Sequence, residues 1–274
     1  MNSIYMNKIE NVWMRVFNSM TFKIVALISM VIDHVGVIIF PGNQDLRIIG
    51  RIALPIFTFL IAFGFSKTRN PGSYFLKLFF VFICIQIPTT WYLYSQENPE
   101  ISPFYMNIFC NLSLGAGFIV IYKKNKLLSI LYFAMIFWFL YFVQENPLMI
   151  TNEKTGLERF EIDYGLYGFM LIVGFWMVRE AVSSFYKLSG KKIIMNIASA
   201  SWLVIITLIN QYWMHSTEAL KDIQMWALID VVLLLMFTEF RFNIPSKKVR
   251  ITIQYFFYLT YPLTLGITIL FSNL

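Results

Sequence analysis

Charge is scarce in this chain. Only 14% of its 274 residues are Asp, Glu, Lys or Arg, against 58% hydrophobic and 18% aromatic. A soluble domain carries about 25% charged residues, so a water-soluble enzyme, a secreted module and a disordered chain are excluded together. Cysteine is nearly missing too. Cys84 and Cys110 both lie in apolar runs, which leaves no disulfide framework and no Cys/His metal spacing. Histidine occurs only at His34 and His215, so no metal ligand set is expected. The first 20 residues have no apolar core with a small-residue cleavage site, and a cleavable signal is not expected.

Long apolar runs fill the space that charge leaves, and the mean hydropathy is +0.65. A helix needs about 20 apolar residues to cross a hydrocarbon layer ~30 Å thick. The qualifying segments are 21–40, 48–65, 73–95, 104–122, 127–143, 162–184, 193–213, 222–240 and 252–272. The expected fold is therefore all-α, a polytopic membrane helix bundle of about nine transmembrane helices, with 21–274 as one transmembrane domain. In residues 1–20, Ile9, Trp13, Val16, Phe17 and Met20 recur at helical spacing beside Lys8 and Arg15. That pattern reads as a cytoplasmic amphipathic helix on the membrane surface or as a plain topogenic leader.

The net charge of +7 resolves into a topology. Alternate flanks hold Lys8, Arg15, Lys67, Arg69, Lys123, Lys124, Lys126, Lys187, Lys191, Lys192, Arg241, Lys247, Lys248 and Arg250. The intervening loops hold only Arg47, Lys154, Arg159 and Lys221, together with Asp45, Glu97, Glu100, Glu145, Glu153, Glu158, Glu161 and Glu218. By the positive-inside rule the N-terminus is cytoplasmic and the C-terminus faces out. The basic residues thus serve topology in a lipid bilayer, and nucleic acid is not an expected partner.

Ionisable groups at membrane depth are costly and mark sites or pathways. The first span contains Asp33 and His34, the latter about 13 residues or ~20 Å from the cytoplasmic end, in the outer half. Laid out in their expected directions, other helices bring Arg47, Arg51, Gln86, Asn107, Asn111, Asp230, Tyr261 and Thr264 to a similar layer. Each has a plainer reading: Asp33 as an ion-pair partner of Arg51 or Arg47, Asn107 and Asn111 as interhelical glue, Gln86 and Thr264 as packing residues. His34 is the one suited to accept a proton near neutral pH. At the inner ends, Lys23, Lys77, Lys67 and Arg69 either snorkel to headgroups or together meet the phosphates of a cytosolic cofactor.

The stretch FKIVALISMVIDHVGVIIF followed by LRIIGRIALPIFTFLIAFGF resembles the opening of the TraX family of bacterial membrane proteins. YFLKLFFVFICIQIP, MNIFCNLSLG, DYGLYGFMLIVG and FFYLTYPLTL follow in the family's order. The resemblance implies a membrane acetyltransferase in the bacterial cytoplasmic membrane, with acetyl-CoA as donor and a peptide, pilin or other protein, or glycan as acceptor. The family is in turn similar to membrane acyltransferases with Arg-x10-His in the first helix. Here the matching spacing is Lys23-x10-His34, and Thr264 stands where the TraX pattern usually has a histidine. Lysine is a point charge and not a bidentate fork, so Lys23 departs from that pattern.

The mechanism so implied has His34 taking the acceptor's proton, with Asp33 orienting or charging the imidazole. Arg51, Asn107 or Asn111 would donate to the developing oxyanion. Adjacent residues on a helix point ~100° apart, which makes Asp230 the alternative orienting carboxylate. Arg47, Gln86, Asn107, Asn111, Tyr261 and Thr264 would line the acceptor site. A proton-coupled transporter and a non-enzymatic subunit of a secretion or conjugation system are the competing classes.

Overall fold

Local sequence dictates where each helix begins. In a computed structural model describing residues 14–40, 42–95, 102, 104–146, 148–152, 156–185, 191–213, 223–240 and 246–272, Asn18 caps α1 (Ser19–Ile38) by accepting from the Met20 and Thr21 amides. Most of the expected leader, residues 1–13, lies outside the described residues. Asn43 caps the short α2 (Gln44–Gly50) in the same way. Pro55 has no amide to offer the Arg51 carbonyl. The chain turns at Arg51 and Ile52 and restarts as α3 (Ala53–Lys67).

α4 (Pro71–Ser95) opens on a proline, where the missing amide is harmless, and carries Pro88 inside. Two residues of β1 (Tyr105–Met106) precede α5 (Ile108–Lys124), which Asn107 caps. Asn125 ends α5 and caps α6 (Lys126–Glu145). A hairpin pairs β2 (Met149–Asn152) with β3 (Gly156–Arg159), and β4 (Glu161–Ile162) runs parallel to β1. Then come α7 (Gly165–Phe185), α8 (Lys191–Tyr212), a 3-10 turn (Met225–Ile229), α9 (Asp230–Met236) and α10 (Lys247–Ser272).

The chain is thus an all-α polytopic membrane bundle. Six helical segments are long and apolar enough to cross a membrane: Ser19–Ile38, Gln44–Lys67, Pro71–Trp91, Lys126–Glu145, Gly165–Phe185 and Lys192–Tyr212. They match six of the expected spans. Of the other three, two differ in form among the described residues and the last is one helix. α5 is only 17 residues long, the eighth expected span is broken into a 3-10 turn and a seven-residue helix, and α10 is continuous through Pro262.

α3 and α7 form the centre, packed against each other, with α1, α5 and α9 also on α3 and α5 and α8 on α7. Phe59, Phe65, Phe169 and Phe175 are fully buried there. Because lipid tails are as apolar as these rings, close packing and not escape from water holds the helices together. Gly174 shows how close that packing is: a Cβ at this position would overlap the Trp202 indole. On the periphery, Phe80, Trp91, Leu127, Ile130, Leu131 and Trp138 are exposed. So wide an apolar belt belongs against lipid.

Candidate functional site

A cavity of about 1190 Å³ runs along the bundle. Lys23, Lys67 and Thr68 line one end, Leu54, Phe57, Leu60, Ile253 and Phe257 the middle, and Asp33, His34, Arg47, Arg51, Tyr105, Asp163, Tyr164 and Tyr261 the other end. Two of the four basic residues expected at the inner ends therefore reach it. Lys23 Nζ stands 5.6 Å from the centre of the Phe257 ring. Lys77 and Arg69 are exposed and do not line the cavity.

His34 meets α10, not a carboxylate. Its Nδ1 lies 3.1 Å from Thr264 Oγ1, and its ring meets Tyr261 edge-on with centroids 5.3 Å apart. The Thr264 hydroxyl also lies 2.9 Å from the Tyr261 carbonyl, and when it donates there its oxygen accepts from Nδ1–H. That arrangement leaves Nε2 with the lone pair. In that state Thr264 does at Nδ1 what an orienting carboxylate does elsewhere.

Asp33 faces away from the imidazole, as the 100° step requires. Arg51 donates to Asp33 Oδ1 at 2.6 Å, and Arg47 stands 3.6 Å from the same oxygen. Gly50 permits that approach, since a Cβ there would overlap the Asp33 carboxylate. Arg51 also donates from Nε to the Arg47 carbonyl at 3.2 Å and from Nη1 to Gln224 at 3.5 Å. Its guanidinium sits 5.4 Å from the Tyr164 ring centre. Asp33 is thereby an ion-pair anchor between α1 and the α2–α3 turn.

The other expected polar residues build the wall behind the cavity. Gln86 accepts from the amide and the side chain of Asn107 and donates to Thr90 and to the Tyr105 carbonyl, all at 2.8–2.9 Å. Asn111 gives its Nδ2 hydrogens to the carbonyls of Asp163 and Gly165, at 2.8 and 2.7 Å. These three do not line the cavity, and their donors are spent on structure. Asp230 is fully buried in α9, and neither carboxylate oxygen has a hydrogen-bond partner among the described residues. It does not line the cavity either, and the His34 Nδ1 contact belongs to Thr264.

Sequence reasoning missed the segment that Asn111 grips. Tyr164 has φ 56° and Gly165 φ 39°, a left-handed pair that costs a non-glycine residue about 1 kcal/mol or more. The turn projects Tyr164 under Arg51 and Asp163 toward Tyr105, with which it hydrogen-bonds. Burial pushes the Asp163 carboxyl, which precedes the α7 span, up to about 6, while Tyr105 and Arg51 pull it back. An aspartate-tyrosine pair just before a glycine was the available signal.

At the opposite end, Glu239 bridges Lys67 Nζ at 2.8 Å and Arg179 Nη2 at 3.0 Å. Arg179 and Glu239 sit in runs read only as spans. Among the described residues no group of three or more His, Cys, Asp or Glu is placed to hold a metal ion.

Comparison with known proteins agrees with the order of the sequence blocks. The family described as TraX protein matches residues 18–272. A stretch of 106 residues is 33% identical to the uncharacterized protein RP591 of Rickettsia prowazekii, covering 34% of this chain and 42% of that one. Another of 79 residues is 29% identical to the probable fimbrial assembly protein FimC, serogroup H1, of Dichelobacter nodosus, covering 27% of this chain and 32% of that one. The chain therefore spans less than half the length of these curated relatives. No solved structure matches. With nearly its whole length matched from the start of α1 to the end of α10, the chain belongs to the TraX family.

Proposed function

We propose that the chain is an integral-membrane acyltransferase of the bacterial cytoplasmic membrane, moving an acetyl group from acetyl-CoA to an amine or hydroxyl. The observation that carries this reading is His34 on a cavity whose far end is lined by Lys23 and Lys67. Acetyl-CoA would supply an activated carbonyl on a good leaving group. The residues fit its charge, since two cations at one end face phosphates and an apolar middle section suits a slender arm. His34 Nε2 accepts the proton of the attacking group, and the Thr264 contact holds the tautomer that makes this possible. Arg51, fixed by Asp33, supplies positive charge beside the developing oxyanion. Tyr261 and Arg47 border the place where the acceptor would sit.

The name of the FimC relative supports an acceptor that belongs to a pilus or fimbria. A proton-coupled transporter is the second reading, favoured by the orphaned Asp230 carboxylate inside the bundle. Membranes containing the chain and radiolabelled acetyl-CoA separate the two. Transfer of label to a surface or secreted peptide or glycan, found by mass spectrometry, is expected with the native chain. It should fall at least about a hundredfold with His34→Ala. Full transfer by that variant would overturn the assignment, and solute movement without acetyl-CoA consumption would favour transport.

A further inference from the structure

The basic end of the bundle gathers Lys67, Lys123 and Arg179, with Glu239 between Lys67 and Arg179 and Glu180 close enough to act on the Lys123 charge. Lys67, at the end of α3, lines the cavity. Arg179, one turn after Trp176 on α7, is 3% exposed and packs its guanidinium 4.8 Å from the Phe63 ring centre. Lys123 lies 5.0 Å from the Trp176 ring centre and donates to the Phe65 carbonyl. Glu239 gives one oxygen to Lys67 and the other to Arg179. Two buried donors in this cluster, Arg179 Nε and Trp176 Nε1, have no hydrogen-bond partner among the described residues. A buried donor left unsatisfied costs about 1–3 kcal/mol, so the pair marks a place built for more acceptor atoms than a carboxylate brings.

Glu239 is also carried on a strap and not on a helix. The strap follows α9. Phe237 meets Phe22, Phe59 and Phe63 edge-on. The Thr238 amide and hydroxyl bond the Phe17 carbonyl at the entrance to α1. The strap thus ties the start of α1 to the end of α3, both of which border the cavity.

We propose that Lys67, Arg179 and Trp176 form a phosphate site for the donor, and that Glu239 holds this site as an exchangeable stand-in that an incoming phosphate displaces. The proposal rests on the acyltransferase reading for the identity of the donor. A phosphate brings up to two charges and at least three acceptor oxygens, and it can take both edges of a guanidinium, which one carboxylate already divided between two cations cannot. Exchange of one anion for another also keeps an acceptor beside the buried Arg179 guanidinium throughout.

The test uses the full chain in nanodiscs of phosphatidylcholine alone, with coenzyme A and inorganic pyrophosphate as probes in titration calorimetry. Glu239→Gln should tighten coenzyme A binding about tenfold by removing the internal competitor, and Lys67→Gln should weaken it about tenfold. Should Glu239→Gln not fold, the indole of Trp176 gives a second reading in the otherwise native chain. Its fluorescence should change on pyrophosphate binding, and Trp176→Phe should abolish that change.

Coenzyme A affinity that is unmoved by Glu239→Gln and Lys67→Gln overturns the proposal while leaving acyl transfer intact. Pyrophosphate binding with the expected variant pattern, but no binding of coenzyme A, keeps the phosphate site and overturns the donor reading. Variant effects that appear only after phosphatidylglycerol is added assign the site to a lipid headgroup and overturn it.

Discussion

Arg51 and Arg179 are both nearly sealed from the surface, at 4% and 3% exposure, but they lie at opposite ends of the bundle and are held differently. Arg51 donates to Asp33, to the Arg47 carbonyl and to Gln224, and it rests on Tyr164. Arg179 shares Glu239 with Lys67 and has an Nε with no partner among the described residues. The end that holds His34 is locked by bonds from the α2–α3 turn to α1, α2 and Gln224, with the Tyr164 ring, just before α7, packed against the guanidinium. The basic end is held by one shared carboxylate on a strap. Pre-positioned charge suits chemistry, where reorganisation at the moment of reaction is costly. A shared, under-satisfied site suits capture and release.

The comparison is sharpest where it breaks. Arg51→Leu should have the largest effect, because it leaves Asp33 with only the more distant Arg47. A loss of about 3–5 kcal/mol is expected for one partner removed from a buried pair, read as the unfolding midpoint in detergent. Glu239→Gln leaves Lys67 at the cavity lip, so a smaller loss is expected by the same measurement. Equal losses would erase the distinction between the two ends.

Next in size is Asn111→Ala, which removes the hydrogen bonds to the carbonyls of Asp163 and Gly165 and relaxes the left-handed turn at Tyr164. About 2 kcal/mol is expected. On the acyltransferase reading proposed above, acetyl transfer should fall with it, although Asn111 does not line the cavity. Retained stability with normal transfer would show that the turn does not position Arg51.

The smallest effect is in pH, and its sign differs between the ends. Asp163 has its pKa raised from 3.8 to about 6. The folded state therefore binds the extra proton between those values, and stability should fall as pH rises through that window. Burial also opposes the Glu239 charge, but hydrogen bonds and charge from Lys67 and Arg179 outweigh it and lower its pKa from 4.5. Its contribution is present above that value and lost as pH falls below it, about 1 kcal/mol for a partly exposed pair. Unfolding midpoints of Asp163→Asn and Glu239→Gln across pH 3–7 should flatten opposite slopes.

Legibility of the site followed the length scale of each signal. The bundle and the basic-acidic alternation were readable, because they depend on composition over whole segments. His34 stood out through scarcity. Its partner did not: Thr264 lies 230 positions away, and nothing in the α10 sequence says which of its faces meets α1. Asn107 and Asn111 share a helical face by spacing, yet one locks Gln86 and the other grips the turn at Tyr164. Spacing places residues on a face but does not supply the neighbour that face meets. Asp163 was hidden for a related reason, since its amide bonds the Met106 carbonyl beside a two-residue parallel pairing of β1 with β4 that no periodicity announces.

Sequence alone decided the solvent and the helices, because hydrocarbon thickness and backbone hydrogen bonding act on each segment separately. It also decided where ionisable groups sit along each helix. Tertiary structure alone decided who pairs with whom: Asp33 with Arg51, His34 with Thr264, and Glu239 with two cations from different helices. Those pairings depend on the rotation and crossing of packed helices to within an ångström. That geometry is settled by small residues such as Gly50 and Gly174 and by the shapes they admit.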